Sequence, residues 1–341
     1  MIMSNVNGEK EKIDYSKLSI DKQSFDNRVC FNDEFHKYFE KGQEPNFASV
    51  TTIIHSFAQE FDAEFWSRYK ALQKLVGQDA FDGPVIKKGT AKTPEKRGPA
   101  SEAKKALLAN KVYNHVWTKS FNIEECDLED CATEIRKSYD DERETSCFRG
   151  TTIHKNLENL MTSKAETNMK VLGLDDKIPG KFRFNSDTKE LIPGNIYPEI
   201  LLYRISDDGK LRVAGQVDLL IVDHDGGVII VDFKTNKKLD KKSYFNPTTK
   251  QSTKMKYPLN NIDDCNFMHY SLQLSLYFWL ANKLNFDLFL KGLYIIHYDH
   301  DGNVNNHECE YLKDDVERML AFHKKQLENE QNKALRKKMV F

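Results

Sequence analysis

The stretch from Val213 to Thr235, VAGQVDLLIVDHDGGVIIVDFKT, decides the fold. β-Branched and aliphatic residues flank His224-Asp225-Gly226-Gly227, a Gly/Asp turn cluster, so the stretch reads as a β-hairpin. Asp218 and Asp232 lie symmetrically about Asp225, and hairpin pairing sets them opposite or nearly opposite across the two strands. Side chains alternate along a strand, so Asp232 and Lys234 share a face. Two carboxylates and an ammonium then converge on one spot. An uncompensated acid pair on an apolar hairpin is costly, and a divalent cation is the usual remedy.

Outward from the hairpin, Tyr197–Ser206 and Arg212–Asp223 read as strands joined at Asp207-Asp208-Gly209, and Val228–Thr235 completes a meander. Asn236 to Asn261, rich in lysine, reads as a loop. An apolar helix is expected over 264–284, a last strand over Leu293–Asp299 and a helix over Leu312–Lys338. Upstream, a helix starts near Gly150 with Ile153, Leu157, Leu160 and Met161 as its buried stripe, and other helices run through about Ser138. The stretch Ala63 to Val76 is helical by its spacing of Phe65, Trp66, Tyr69, Leu72 and Leu75. Phe31–Phe39 and the start of Phe47–Phe57 look extended, with a helix from about Ser49. The first 24 or so residues are polar and expected to be loosely ordered.

The expected fold class is therefore α/β, a mixed central sheet flanked by helices with helical additions on its N-terminal side. The domain reading is an N-terminal extension over 1–45, a helical region with a basic Gly/Pro-rich loop over 46–147, a core over 148–300, and a C-terminal helix over 301–341.

At 341 residues, 39% hydrophobic and 30% charged, the chain has the composition of a soluble globular protein. No apolar run approaches the roughly 18 residues needed to span a membrane, and MIMSNVNGEKEK at the N-terminus has no secretory core. An intracellular, cytoplasmic location and no membrane partner are expected. Net charge is −1, but Pro84–Lys119 carries nine Lys/Arg against two Glu, and Val228–Lys256 eight Lys/Arg against two Asp. Such segregation suits a phosphate-facing side; a solvated lysine surface explains each run equally well. Asp82 to Ala100, with Lys87, Lys88, Lys96 and Arg97, is either a strand-gripping lid or an ordinary insert. The six cysteines form no C-x2-C pair, so neither a zinc ribbon nor an iron–sulfur pattern is read, and free thiols are expected.

His154, with Glu158 four residues on, lies on one face of the expected helix. RGTTIHKNLE at 149–158, Pro198-Glu199, GQVD at 215–218, DFK at 232–234 and QLSLY at 273–277 together resemble the PD-(D/E)XK nuclease superfamily, within it the RecB-like exonuclease branch. ASVTTIIHSF at 48–57, followed by Phe65-Trp66, further resembles the mitochondrial genome maintenance exonucleases and related phage nucleases. The resemblance covers roughly 45–75 and 148–298, and a phage or mobile-element origin is compatible with it. It implies a restriction-endonuclease-like core. It makes His154, Asp218, Asp232 and the carbonyl of Phe233 metal ligands and Lys234 the catalytic lysine. Gln273 and Tyr277 match a Q-x3-Y motif supporting the site and the substrate strand. Glu199 matches an acidic position that tunes the site or reaches the metal through water. The four cysteines of the iron–sulfur subgroup are missing, so no iron–sulfur cluster is expected.

The resemblance thus implies a Mg2+- or Mn2+-dependent DNA exonuclease acting on single strands or ends, in replication, recombination or repair. Hard oxygen ligands suit either ion, and an imidazole among them favours Mn2+ somewhat. An ordinary lysine has a pKa of about 10.4, so Lys234 fits charge stabilisation better than a general base. An endonuclease of the same superfamily, or a non-catalytic nucleic-acid-binding protein on this fold, are the alternatives. Polarity, DNA against RNA, and oligomeric state are not legible.

Overall fold

A computed structural model of the protein describes residues 19–77, 123–246, 250–282 and 288–338. In chain order a small sheet holds β1 (Lys22–Gln23), β2 (Val29–Asn32) and β3 (Lys37–Glu40). After β4 (Ala48–Ser49) come α1 (Val50–Phe57), α2 (Ala63–Val76) and α3 (Glu125–Thr162). Strands β5 (Thr167–Asn168), β6 (Lys181–Phe184), β7 (Asn195–Ile205), β8 (Arg212–Val222) and β9 (Val228–Lys234) follow. The chain ends with β10 (Phe245–Asn246), β11 (Gln251–Ser252), α4 (Asn266–Ala281), β12 (Leu290–Tyr298), β13 (Val304–Glu308) and α5 (Lys313–Lys338).

The main sheet has the order β13-β12-β9-β8-β7-β6-β5, with β4 added against β8. It is mixed. Strands β7, β8 and β9 form the antiparallel meander, whereas β12 lies parallel to β9. Parallel neighbours need a crossover, and α4 supplies it. Burial on both faces of the sheet explains the near-continuous apolar runs of β8, β9 and β12. In β9, Val228 and Ile230 pack into one core with α1, α4 and α5, while Ile229, Val231 and Phe233 pack into the other with Leu157 and Met161 of α3. The small sheet packs Val29, Phe31 and Tyr38 against Leu201, Tyr203 and Ala214 of β7 and β8. This is the α/β architecture that the hairpin and its flanking helices imply.

Among the described residues, those up to Ala58, Gly150–Tyr244 and from Thr253 onward form one compact unit; Gln59–Arg149 and Phe245–Ser252 form a second. In the second unit Phe65, Ala71 and Leu72 of α2 pack on Leu128, Cys131 and Ala132 of α3, and Arg68 pairs with Glu129 at 2.6 Å.

Four sequence expectations change. The helices expected through Ser138 and from Gly150 are one helix, α3. Nothing between them breaks it, and Gly150 is not a start; a Cβ there would sit 3.3 Å from Thr235 Oγ1, so the glycine lets the helix approach β9 closely. Order begins earlier than residue 24, because Lys22–Gln23 pairs with Cys30 and Phe31. Another strand, β13, follows the expected last one; its Val-Asn-Asn-His-Glu sequence is an edge with little apolar alternation. The stretch 236–261 is mostly irregular but carries the short β10–β11 pair.

Candidate active site

The hairpin closes at Val222↔Val228 and runs to Leu219↔Val231, so it folds about Asp225. Asp232 and Lys234 therefore point the same way, and the Lys234 ammonium lies 2.6 Å from Asp232 Oδ2. Asp218 turns its carboxylate to the end of β9, where Oδ2 accepts the Phe233 N–H at 2.7 Å. Strand pairing lapses at Asp218. Strands β7 and β8 pair at Pro198↔Leu219 and Ile200↔Val217, but the Glu199–Asp218 rung between them is not paired. Glu199 has φ +54°, a left-handed conformation that a non-glycine residue adopts at a cost. On both strands the face that meets the α1–α4 core changes parity across this rung: Tyr197 but then Ile200 and Leu202, Val213 and Val217 but then Leu220 and Val222. The twist frees the two acids from the ladder and aims them into a cleft.

Helix α3 adds His154. Its Nε2 is 3.0 Å from the Phe233 carbonyl oxygen and its Nδ1 is 3.5 Å from Asp218 Oδ1. One donor atom each from His154, Glu199 and Asp218 fall within 4.8 Å of one another. Glu199 is held by the Lys22 ammonium at 3.3 Å and by the side-chain amide of Gln216. Helix α4 adds Gln273, whose amide donates to Asp232 Oδ1 at 3.0 Å and touches the Tyr277 hydroxyl at 3.0 Å. Gly215 makes room for this: a Cβ there would lie 2.7 Å from Tyr277 Cε1 and 2.8 Å from Val50 Cγ2.

The electrostatics follow from burial. Asp218 is pushed up to about 7, first by burial and then by the Asp232 carboxylate, against the opposing pull of His154 and Lys234. For Lys234, burial works against the charge, but the Asp232 and Asp218 carboxylates outweigh it and hold its pKa above the ordinary lysine value. The ammonium also sits 4.6 Å over the Tyr270 ring. Burial lifts the Tyr277 hydroxyl well above its usual range. Tyr277 is thus a neutral hydrogen-bonding partner and Lys234 a fixed cation.

The donor set fits a hard divalent cation. It is oxygen and imidazole, clustered and acid-rich, and Asp232 Oδ2 is buried with no aligned hydrogen bond beyond the Lys234 charge contact. These atoms line a cleft of about 260 Å3 with Phe31, His36, Tyr38, Ser49 and Thr51.

A family model described as the PD-(D/E)XK nuclease superfamily matches residues 52–337. The chain belongs to that superfamily. It is accordingly a metal-dependent nuclease, a hydrolase of phosphodiester bonds with a nucleic-acid substrate. No curated protein matches the chain. Among solved structures, one described as "Crystal structure of SSO0001" matches at 15% identity over 77% of this chain and 84% of that chain, with a TM-score of 0.31. No helix among the described residues is long and apolar enough to cross a membrane.

In this PD-(D/E)XK nuclease the cleft brings together His154, Glu199, Asp218, Asp232, Lys234, Gln273 and Tyr277. The remaining expected contacts, Lys87, Lys88, Lys96 and Arg97, lie outside the described residues. Glu158, on the His154 face of α3, is engaged by Lys22 at 3.6 Å and Lys155 at 3.9 Å. His269 pairs with Asp264 at 2.6 Å, and Arg204 covers Trp279 at 3.8 Å. Lys22, Gln216 and the cleft wall on β2, β3 and α1 were not legible in the sequence. Their membership depends on how the small sheet docks, for which no short motif codes.

Proposed function

We propose that this nuclease is a RecB-like exonuclease that removes nucleotides from the ends of single-stranded DNA with Mg2+ or Mn2+, serving replication, recombination or repair. The observation that carries the reading is His154: it comes from a helix that precedes the acidic hairpin, and it reaches both Asp218 and the Phe233 carbonyl.

In this reading His154, Asp218, Asp232 and the Phe233 carbonyl hold the ion, and Glu199 completes the cluster. When bound, such an ion supplies Lewis-acid charge at the phosphate. Lys234, kept protonated by its two carboxylates, stabilises charge building on the phosphate oxygens and does not act as a base. Gln273 orients Asp232, and Tyr277 orients Gln273.

The test compares end-labelled linear and covalently circular single-stranded DNA of the same sequence, with Mg2+, Mn2+ or EDTA. Linear strands should be shortened, circles left intact, and EDTA should stop the reaction. Asp232→Ala and Lys234→Ala should each lower the rate on the order of 100- to 1000-fold. Equal rates on circle and line would make the enzyme an endonuclease with the same site. Variants keeping more than about a tenth of the rate would overturn the residue assignments.

A further inference from the structure

The wall of the cleft facing the acidic cluster is aromatic and comes from the small N-terminal sheet. Phe31 on β2 and Tyr38 on β3 are each 5% exposed and pack as tilted rings with centroids 4.7 Å apart. Upon them, in the β2–β3 turn, His36 stands edge-on to Phe31 at 5.1 Å and is itself exposed where it lines the cleft. The turn is held in shape from below. Fully buried Asn32 accepts the Phe35 N–H at 2.8 Å, and its amide donates to Ser19 O at 3.1 Å. His36 adopts φ +52°, a left-handed conformation that presents its ring away from the strand.

Charge on this wall disfavours phosphate. Asp33 is the acid beside His36 in the lining, and Lys234 is the only Lys or Arg among the described residues lining the cleft. A strand whose phosphate meets the acid–cation cluster must place some other part of the nucleotide against the hairpin. A flat, exposed ring set edge-on against buried Phe31 suits a base, since every base offers a π-face.

We propose that the β2–β3 hairpin, with the His36 ring as its contact surface, is the subsite for the nucleobase adjoining the scissile phosphate. This rests on the reading of the cleft as a strand-cleaving site. It makes His36 a substrate-positioning residue that senses the presence of a base but not its identity.

The test is a mutant cycle between protein and substrate. Full-length protein is given single-stranded oligonucleotides that are intact or carry one abasic residue, and cleavage is timed bond by bond. His36→Gly removes the ring and suits the positive φ, so the turn is not strained by the change; His36→Phe restores a ring without the imidazole. Wild type should cleave the bond beside the abasic residue roughly 5- to 150-fold more slowly, equivalent to about 1–3 kcal/mol of stacking per base. His36→Gly should be slow at every bond with no added penalty at the abasic one, with an unchanged melting temperature. His36→Phe should recover both the rate and the penalty. An abasic penalty of equal size in wild type and His36→Gly, or none in wild type, would overturn the subsite while leaving the nuclease reading intact. A wild type that cleaves no strand in Mg2+ or Mn2+ would sink that reading and the subsite with it.

Discussion

Asp218 concentrates the chemistry of the site in one carboxyl group. It is buried, it faces a second acid, and its pKa is driven up to about 7. A raised folded-state value means that the folded protein holds this proton more tightly than the unfolded chain does. The stabilisation it brings is complete below the ordinary carboxylate value near 4 and is lost as the pH rises through about 7. Asp218→Asn mimics the protonated form. In EDTA its melting temperature should match wild type near pH 4 and exceed it increasingly up to pH 8. A constant difference across that range would show that Asp218 is not held protonated. Adding Mn2+ at pH 8 should reverse the order, because a bound ion stabilises most the protein that keeps the full ligand set.

At the scale of elements, the site is the meeting of one hairpin with two helices and a twisted strand. Helix α1 is capped by Ser49, whose hydroxyl accepts the Thr52 N–H at 3.0 Å, and its Val50 lies against β8 at Gly215. Helix α4 crosses the same glycine with Tyr277. Gly215→Ala must displace both neighbours, so a loss of about 1–3 kcal/mol in stability is expected from overpacking. Because Tyr277 holds Gln273 and Gln273 holds Asp232, activity should fall further than stability explains. Denaturant melts beside initial rates on a single-stranded substrate check this. An alanine variant with wild-type stability and rate would mean that the α1–β8–α4 packing is loose. Helix α3 departs furthest from what the sequence implies. The acidic stretch before Gly150 has no turn chemistry of its own, and tertiary packing on β9 overrides the helix-breaking tendency of glycine.

At the scale of the molecule, net charge is close to zero while the basic residues are segregated. Lys237, Lys238, Lys241 and Lys242 are exposed on the segment that leaves β9 just after Lys234. The segment is pinned where Asp240 N–H donates to Asn266 Oδ1 at 2.7 Å and the Asn266 amide donates to Lys238 O at 2.8 Å. Changing the four lysines to glutamine should weaken single-strand binding and reduce the log–log salt slope by up to roughly 0.7 for each phosphate no longer neutralised. An unchanged slope would leave these lysines as solvated surface. The same measurement on Lys87, Lys88, Lys96 and Arg97 decides between lid and bystander for that basic stretch.

The sequence by itself determined the hairpin, its turn, and the convergence of Asp218, Asp232 and Lys234. Strand alternation and turn chemistry are local properties, and a two-residue period leaves little choice of face. It also carried the Gln273–Tyr277 pair, because residues four apart on a helix are neighbours whatever surrounds them. The family resemblance offered Glu199 to the site, but only the tertiary structure decided how it meets His154 and Asp218, since that depends on a left-handed residue and an unpaired rung deep in a continuous sheet. Only it could bring Lys22 to Glu199 across 177 residues of sequence and set the β2–β3 turn against the cleft. Those meetings are made by packing between surfaces far apart in the chain, and no local pattern encodes which surfaces will meet.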